Sequence, residues 1–150
     1  MRRLLFAVVG LAGVVALAPV SALGLANVVY FKTPSGKIVC AWVEESLSTQ
    51  GAVFCEVTTG LKPPIPRSAP SCQHLTYVGN RVGLQATGAA TLIPCADARP
   101  FADPARTSVL PHGKTIKGGG IACSEAATGL TCRNRSGHGF FLSPQRWHTF

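Results

Sequence analysis

Six cysteines lie between residues 40 and 132 of this 150-residue chain, and they restrict its possible folds more than any other feature. They are Cys40, Cys55, Cys72, Cys95, Cys123 and Cys132. An even number of cysteines in an exported chain indicates a disulfide framework. A zinc site would need closely spaced ligand pairs, and no two of these cysteines are that close in sequence. We therefore expect disulfides at all six positions, no metal and no other cofactor.

The first residues predict export. The positively charged start Met1-Arg2-Arg3 is followed by an apolar run from Leu4 to Ala18, and small residues lead to Ala26. This order is typical of a secretory signal peptide, and the run is short for a membrane-spanning helix, which needs about 20 residues. We expect a signal peptide over 1–26, with cleavage after Ala22 as the alternative, and a single secreted β-rich domain over 27–150.

The charge of the chain favours anionic partners. The whole chain carries a formal net charge of +8. Loss of Arg2 and Arg3 leaves twelve basic side chains against six acidic ones, about +6. A positive field attracts anionic polymers of the cell envelope, anionic lipid head groups and nucleic acid. The charges are scattered, so we expect an extracellular or wall-associated monomer that binds an anionic envelope component or a protein, with nucleic acid less favoured. We expect no membrane span after cleavage.

The pattern of apolar residues predicts short strands. Ile38, Cys40 and Trp42 alternate with their neighbours, as do Val53, Cys55 and Val57, so each set occupies one face of a strand. Other segments with strand character are Val28–Lys32, Arg81–Gln85, Ala89–Ile93, Gly120–Cys123, Leu130–Arg133 and Gly139–Leu142. We expect an all-β, disulfide-stapled domain of hairpins or a small barrel. Ser143–Trp147, with Pro144 after a possible N-cap serine, predicts at most one helical turn.

Two cysteine pairs have the spacing of hairpins. In both Cys40/Cys55 and Cys123/Cys132, the first cysteine ends a Gly-x-Ile-x-Cys segment and the second follows an apolar residue two positions earlier. This similarity is either chance or the mark of a structural repeat. Paired strands bring opposite Cβ atoms to within about 5 Å, close to disulfide range. We expect sequential pairing, Cys40–Cys55, Cys72–Cys95 and Cys123–Cys132, out of the 15 possible connectivities.

Several of these segments resemble a family of small secreted bacterial domains of unknown function. The resemblance lies in Thr33-Pro34-Ser35-Gly36-x-Ile38-x-Cys40, in Leu110-Pro111-x-Gly113, and in Gly137-His138-Gly139-Phe140-x-Leu142-Ser143, together with the cysteines. It covers roughly Tyr30 to Phe150. It implies export and a β-rich fold, and it implies no activity or cofactor.

The sequence offers two alternatives for a functional site. A binding site would use His138, which lies between two glycines, with Arg133, Arg135 and Trp42 supplying charge and a stacking surface. If Phe140 points inward, His138 lies at the edge of the core, and its removal would harm folding. The second alternative is a small secreted hydrolase in which His138, His112 and Lys114 perform acid–base catalysis, which requires both histidines in one cleft.

Overall fold

The computed structural model describes residues 27–44, 51–67, 72, 74–96, 101–102 and 106–150. The predicted signal peptide lies outside these residues. The described part forms eleven strands: β1 (Asn27–Lys32), β2 (Ile38–Glu44), β3 (Gly51–Val57), β4 (Thr76–Gln85), β5 (Thr91–Ala96), β6 (Thr107–Val109), β7 (Thr115–Gly118), β8 (Ile121–Ala126), β9 (Gly129–Asn134), β10 (Gly139–Leu142) and β11 (Trp147–Thr149). The expectation of an all-β fold is confirmed.

The strands form two sheets. One has six strands in the order β5-β4-β3-β2-β1-β6, and the other has five in the order β11-β10-β9-β8-β7. Neighbouring strands pair antiparallel, except that β6 runs parallel to β1 at the edge of the larger sheet. Consecutive hairpins therefore build most of both sheets, as the short loops of the sequence favour.

The two sheets pack face to face around one apolar core. The inward positions alternate along each strand, as in β3, where Val53, Cys55 and Val57 are all fully buried. The smaller sheet contributes residues such as Leu130 and Phe140, which belong to the same buried cluster. Because the strands form two separate hydrogen-bonded sheets on either side of this core, the arrangement is a sandwich rather than a closed barrel.

All three disulfides join the predicted partners: Cys40–Cys55, Cys72–Cys95 and Cys123–Cys132. Cys40 lies directly opposite Cys55 in the β2–β3 hairpin, and Cys123 lies opposite Cys132 in the β8–β9 hairpin. These four cysteines are fully buried. The repeated sequence pattern thus corresponds to two hairpins, one in each sheet, that each carry a disulfide on the inward face.

The sequence allowed at most one helical turn, at Ser143–Trp147, and the structure forms none there. The chain reverses there in a tight turn between β10 and β11, closed by a 2.9 Å hydrogen bond from the Ser143 backbone N–H to the Arg146 carbonyl. Ser143 Oγ does accept hydrogen bonds from the amides of Gln145 and Arg146, as an N-cap would. Strand pairing of Trp147 with Leu142 then takes the backbone hydrogen bonds that a helix would have used.

The proline-rich segment that connects β3 to β4 packs against both sheets. Leu61 and Ile65 are buried in the common core. The Tyr77 hydroxyl donates a 2.6 Å hydrogen bond to the Ile65 carbonyl, and Trp147 Nε1 donates a 2.7 Å hydrogen bond to the Pro63 carbonyl. Trp147 thereby joins the last strand of the smaller sheet to this connector.

Within the described ranges, no helix has the length and apolar character needed to cross a membrane.

Candidate functional site

A row of stacked aromatic and cationic side chains covers one edge of the outer face of the five-stranded sheet. Its members, in spatial order, are Arg146, Phe141, His148, Phe150 and Arg133. The Phe141 and His148 rings are stacked with centroids 5.4 Å apart, and His148 and Phe150 are 5.9 Å apart. The Arg146 guanidinium lies 5.3 Å from the Phe141 centroid, and that of Arg133 lies 4.8 Å from the Phe150 centroid. We call this set the aromatic–arginine row.

Strand register explains how the row forms. Phe140 and Leu142 point into the core, so alternation along β10 turns Phe141 outward. His148 is paired directly with Phe141 across the β10–β11 hairpin. The Phe150 ring lies over Gly139, whose missing side chain leaves room for it. The row therefore depends on the pairing of three strands and could not be read from one segment of the sequence.

A shallow depression adjoins the row at Arg133. It has a volume of about 320 Å³ and is lined by three cationic side chains, Lys117, Arg133 and Arg135. All three are exposed. Glu44 reaches the edge of this region from the larger sheet and contacts Gly118. Among the described residues, the depression and the row together form a surface on which cations outnumber carboxylates and on which the rings of His148 and Phe150 are exposed.

Three of the four predicted binding residues lie at this surface. Arg133 and Arg135 line the depression, and the side chain of His138 is exposed in the adjoining β9–β10 turn. Trp42 does not belong to it: its side chain is only 2% exposed and packs in the core, with its ring centroid 6.5 Å from that of Phe31. A ligand cannot stack on Trp42, so that part of the prediction is wrong.

The position of His138 also differs from expectation, because the side chain points away from the core. Buried Asn134 holds the turn instead. Its Oδ1 accepts hydrogen bonds from the amides of Ser136 and His138, both at 3.1 Å. Its Nδ2 donates to the carbonyls of Gln85, at the end of β4, and of Gly88, in the turn between β4 and β5, at 3.0 and 2.7 Å. The Asn134 side chain thus donates two hydrogen bonds and accepts two, which is its full capacity. In this way it connects the β9–β10 turn to the end of β4.

The two histidines of the hydrolase alternative are far apart. His112 Nδ1 lies 3.3 Å from Glu125 Oε1, and Glu125 is paired with Leu130 at one end of β9. The backbone of His138 is hydrogen-bonded to Asn134 at the other end of that strand. Four residues of strand separate these ends by about 13 Å. Lys114 lies at the His112 end, where its carbonyl accepts the Glu125 amide. The proposed catalytic pairing of His112 with His138 is therefore wrong.

Sequence analysis did not select Glu125 as a candidate site residue. Its side chain is 3% exposed and lies between the sheets, at the mouth of a cavity of about 240 Å³. Burial raises the pKa of Glu125, and the charge and hydrogen bond of His112 oppose that rise. The sequence did contain a pattern that predicts its burial, because Ile121, Cys123 and Glu125 lie at alternate positions on one face of a strand.

Among the residues that the structure describes, no three His, Cys, Asp or Glu side chains are grouped as metal ligands would be.

The protein is thus an all-β, disulfide-linked domain with a cationic and aromatic outer face. It belongs to the DUF6636 family, a family of unknown function, whose model matches residues 10–150. No curated protein and no solved structure matches the chain significantly. The family match covers both sheets and agrees with the resemblance to an uncharacterised family, and it assigns no ligand or activity.

Proposed function

We propose that this protein is a secreted, non-enzymatic domain that binds an anionic glycan polymer of the cell envelope along the outer face of its five-stranded sheet. The observation that carries the proposal is the position of Arg133, which belongs both to the cationic depression and to the aromatic–arginine row. A ligand that follows this face meets positive charge and ring surfaces in alternation.

The two kinds of side chain select for different features of a ligand. Lys117 and Arg133 attract carboxylate, sulfate or phosphate groups, and the exposed rings of His148 and Phe150 favour contact with the flat apolar side of a sugar ring. A polymer that has both features fits this face better than one that has charge alone. The three disulfides are consistent with the oxidising, extracellular location that such a ligand requires.

A comparison of two polyanions tests this proposal. Alginate carries carboxylates on sugar rings, and polyglutamate carries carboxylates without rings. We expect the oxidised protein to bind alginate more tightly than polyglutamate at equal charge density. Arg133→Ala should weaken alginate binding roughly fivefold, which corresponds to about 1 kcal/mol.

Arg67→Ala is the matched control. Arg67 is also an exposed arginine over an aromatic ring, 4.8 Å from the Tyr77 centroid, and it belongs to the connector between β3 and β4. This variant should bind alginate like the unmodified protein. Equal losses in Arg133→Ala and Arg67→Ala would show that net charge alone determines binding and would contradict a defined site, and absence of alginate binding would contradict the proposal as a whole.

A further inference from the structure

The 240 Å³ cavity beside Glu125 opens at the end of the sandwich, away from the cationic depression. The β1–β2 turn contributes Thr33, Ser35 and Lys37 to its wall. The smaller sheet contributes Glu125 from the end of β8 and Gln145 from the turn between β10 and β11. Turns from both sheets therefore meet around one small, largely polar space.

Glu125 gives this cavity an unsatisfied acceptor. Its Oε1 is 3.3 Å from His112 Nδ1. Its Oε2 is buried and has no hydrogen-bond partner among the described residues. Buried polar atoms in folded proteins nearly always have a partner, because an unpaired one costs free energy. A ligand in the cavity that donates a hydrogen bond to this carboxyl group would recover that cost.

The charges around the cavity limit which chemical group of a ligand can donate the hydrogen bond to Glu125. Lys37 lies in the wall, and His112, whose side chain is 56% exposed, lies beside Glu125. An ammonium ligand would be attracted by Glu125 and repelled by Lys37 in the same wall, and this repulsion offsets part of the attraction. A neutral hydroxyl group donates to Glu125 without that repulsion, and a carboxylate elsewhere on the same ligand would be attracted by Lys37.

The size and the remaining lining groups fit one sugar ring. The volume is slightly below the roughly 300–1,000 Å³ of pockets for drug-sized ligands. The hydroxyls of Thr33 and Ser35, 3.2 Å from each other, and the amide of Gln145 can each donate or accept. Among the described residues that line the cavity, Glu125 is the one carboxylate, and none of them supplies the second carboxylate that glycoside cleavage needs.

We propose that this cavity binds a single sugar residue, neutral or acidic, through a hydrogen bond from a sugar hydroxyl to Glu125. The site is distinct from the outer face of the five-stranded sheet and does not depend on polymer binding there. The sugar can be a free monosaccharide or the terminal residue of a chain.

Titration of the disulfide-bonded protein with three related monosaccharides tests this proposal. Glucose, glucuronate and glucosamine share one ring and differ in charge. Backbone amide NMR signals of Thr33, Gly129 and Gln145 should shift saturably with glucuronate and glucose, and glucosamine should bind most weakly. Absence of saturable shifts with all three sugars, or tightest binding of glucosamine, would overturn the proposal. Stronger binding of a short glucuronate oligomer than of the monomer would identify a chain end as the source, and equal binding would identify the free sugar.

Variants separate this site from the outer face. Glu125→Gln should weaken glucose binding about tenfold through loss of a charge-assisted hydrogen bond. Lys37→Ala, at an exposed position where folding is not at risk, should abolish the preference for glucuronate over glucose. Arg133→Ala should leave monosaccharide binding unchanged. If Glu125→Gln does not fold, unchanged glucuronate preference in Lys37→Ala would still contradict the proposal.

Discussion

The buried carboxyl group of Glu125 links proton binding to folding. Burial raises its pKa above the ordinary value of 4.5, and the nearby charge and hydrogen bond of His112 lower it by less. The folded state therefore holds the proton more tightly than the unfolded chain does. It follows that the contribution of protonated Glu125 to stability is fully present below the unfolded pKa and is lost as the pH rises through the folded pKa.

Glu125→Gln should remove this pH dependence, because glutamine stays neutral. We expect the variant and the unmodified protein to have similar stability near pH 4. As the pH rises above the ordinary value of 4.5, the unmodified protein should lose stability relative to the variant. Thermal unfolding followed between pH 4 and pH 8 measures the difference, and a difference that is constant across this range would contradict the account.

Asn134 is expected to matter more for stability than the neighbouring His138. Asn134→Ala removes four hydrogen bonds, two within the β9–β10 turn and two that join this turn to the end of β4 and the turn after it. At about 0.5–1.5 kcal/mol for each bond, we expect a loss of roughly 2–6 kcal/mol in the free energy of unfolding. His138→Ala, at an exposed position, should change it by less than about 0.5 kcal/mol. Denaturant unfolding of both variants measures these changes. A loss in His138→Ala as large as that in Asn134→Ala would show that His138 has the structural role expected from the sequence.

The three disulfides differ in how far their cysteines are exposed to solvent. Cys40, Cys55, Cys123 and Cys132 are fully buried, whereas Cys72 is partly exposed. Thiol attack requires access to a sulfur atom. We expect a reductant under native conditions to open Cys72–Cys95 first, with the two hairpin disulfides resisting until the sandwich opens. Alkylation and peptide mass mapping during reduction measure the order, and early modification of Cys40 or Cys123 would contradict it.

The sequence predicted those strands whose side chains alternate between core and surface. The strands β3, β8 and β9 have this pattern, as most of β2 does, and all four were located to within a few residues. The short strands β6, β7 and β11 were missed, because they lie at or near sheet edges and have few buried positions. For the same reason Trp147 was placed in a helical turn. Its role becomes visible only when Leu142 is known to be its partner.

The candidate surface was predicted only in part, and the reason is again register. Arg133 and Arg135 were selected from charge and from their position beside the glycine-flanked histidine. The stacking of Phe141 on His148 depends on which residue faces which across a hairpin, and sequence alone does not give this. Trp42 was selected as an accessible aromatic, although its alternation with Ile38 and Cys40 already favoured the core.

The net charge of the whole domain sets how binding should respond to salt. About six excess positive charges attract a polyanion over distance, but the Debye length falls from about 8 Å at physiological ionic strength to about 3 Å at 1 M. We expect alginate binding to weaken strongly as sodium chloride rises from 50 mM to 1 M. Affinity measured across this range checks the prediction, and retention that persists at 1 M would contradict an electrostatic mode of binding.

Mapping the ligand on the protein tests the proposed binding face most directly. In a titration of the isotope-labelled, oxidised protein with alginate oligomers, we predict that amide NMR signals change along β9, β10 and β11 and around Lys117. Signals from the outer face of the six-stranded sheet, such as those of Glu56 and Arg81, should stay in place, because those two side chains form an ion pair of 2.7 Å with each other. Changes centred on the six-stranded sheet, or spread evenly over both sheets, would contradict the assignment of the binding face.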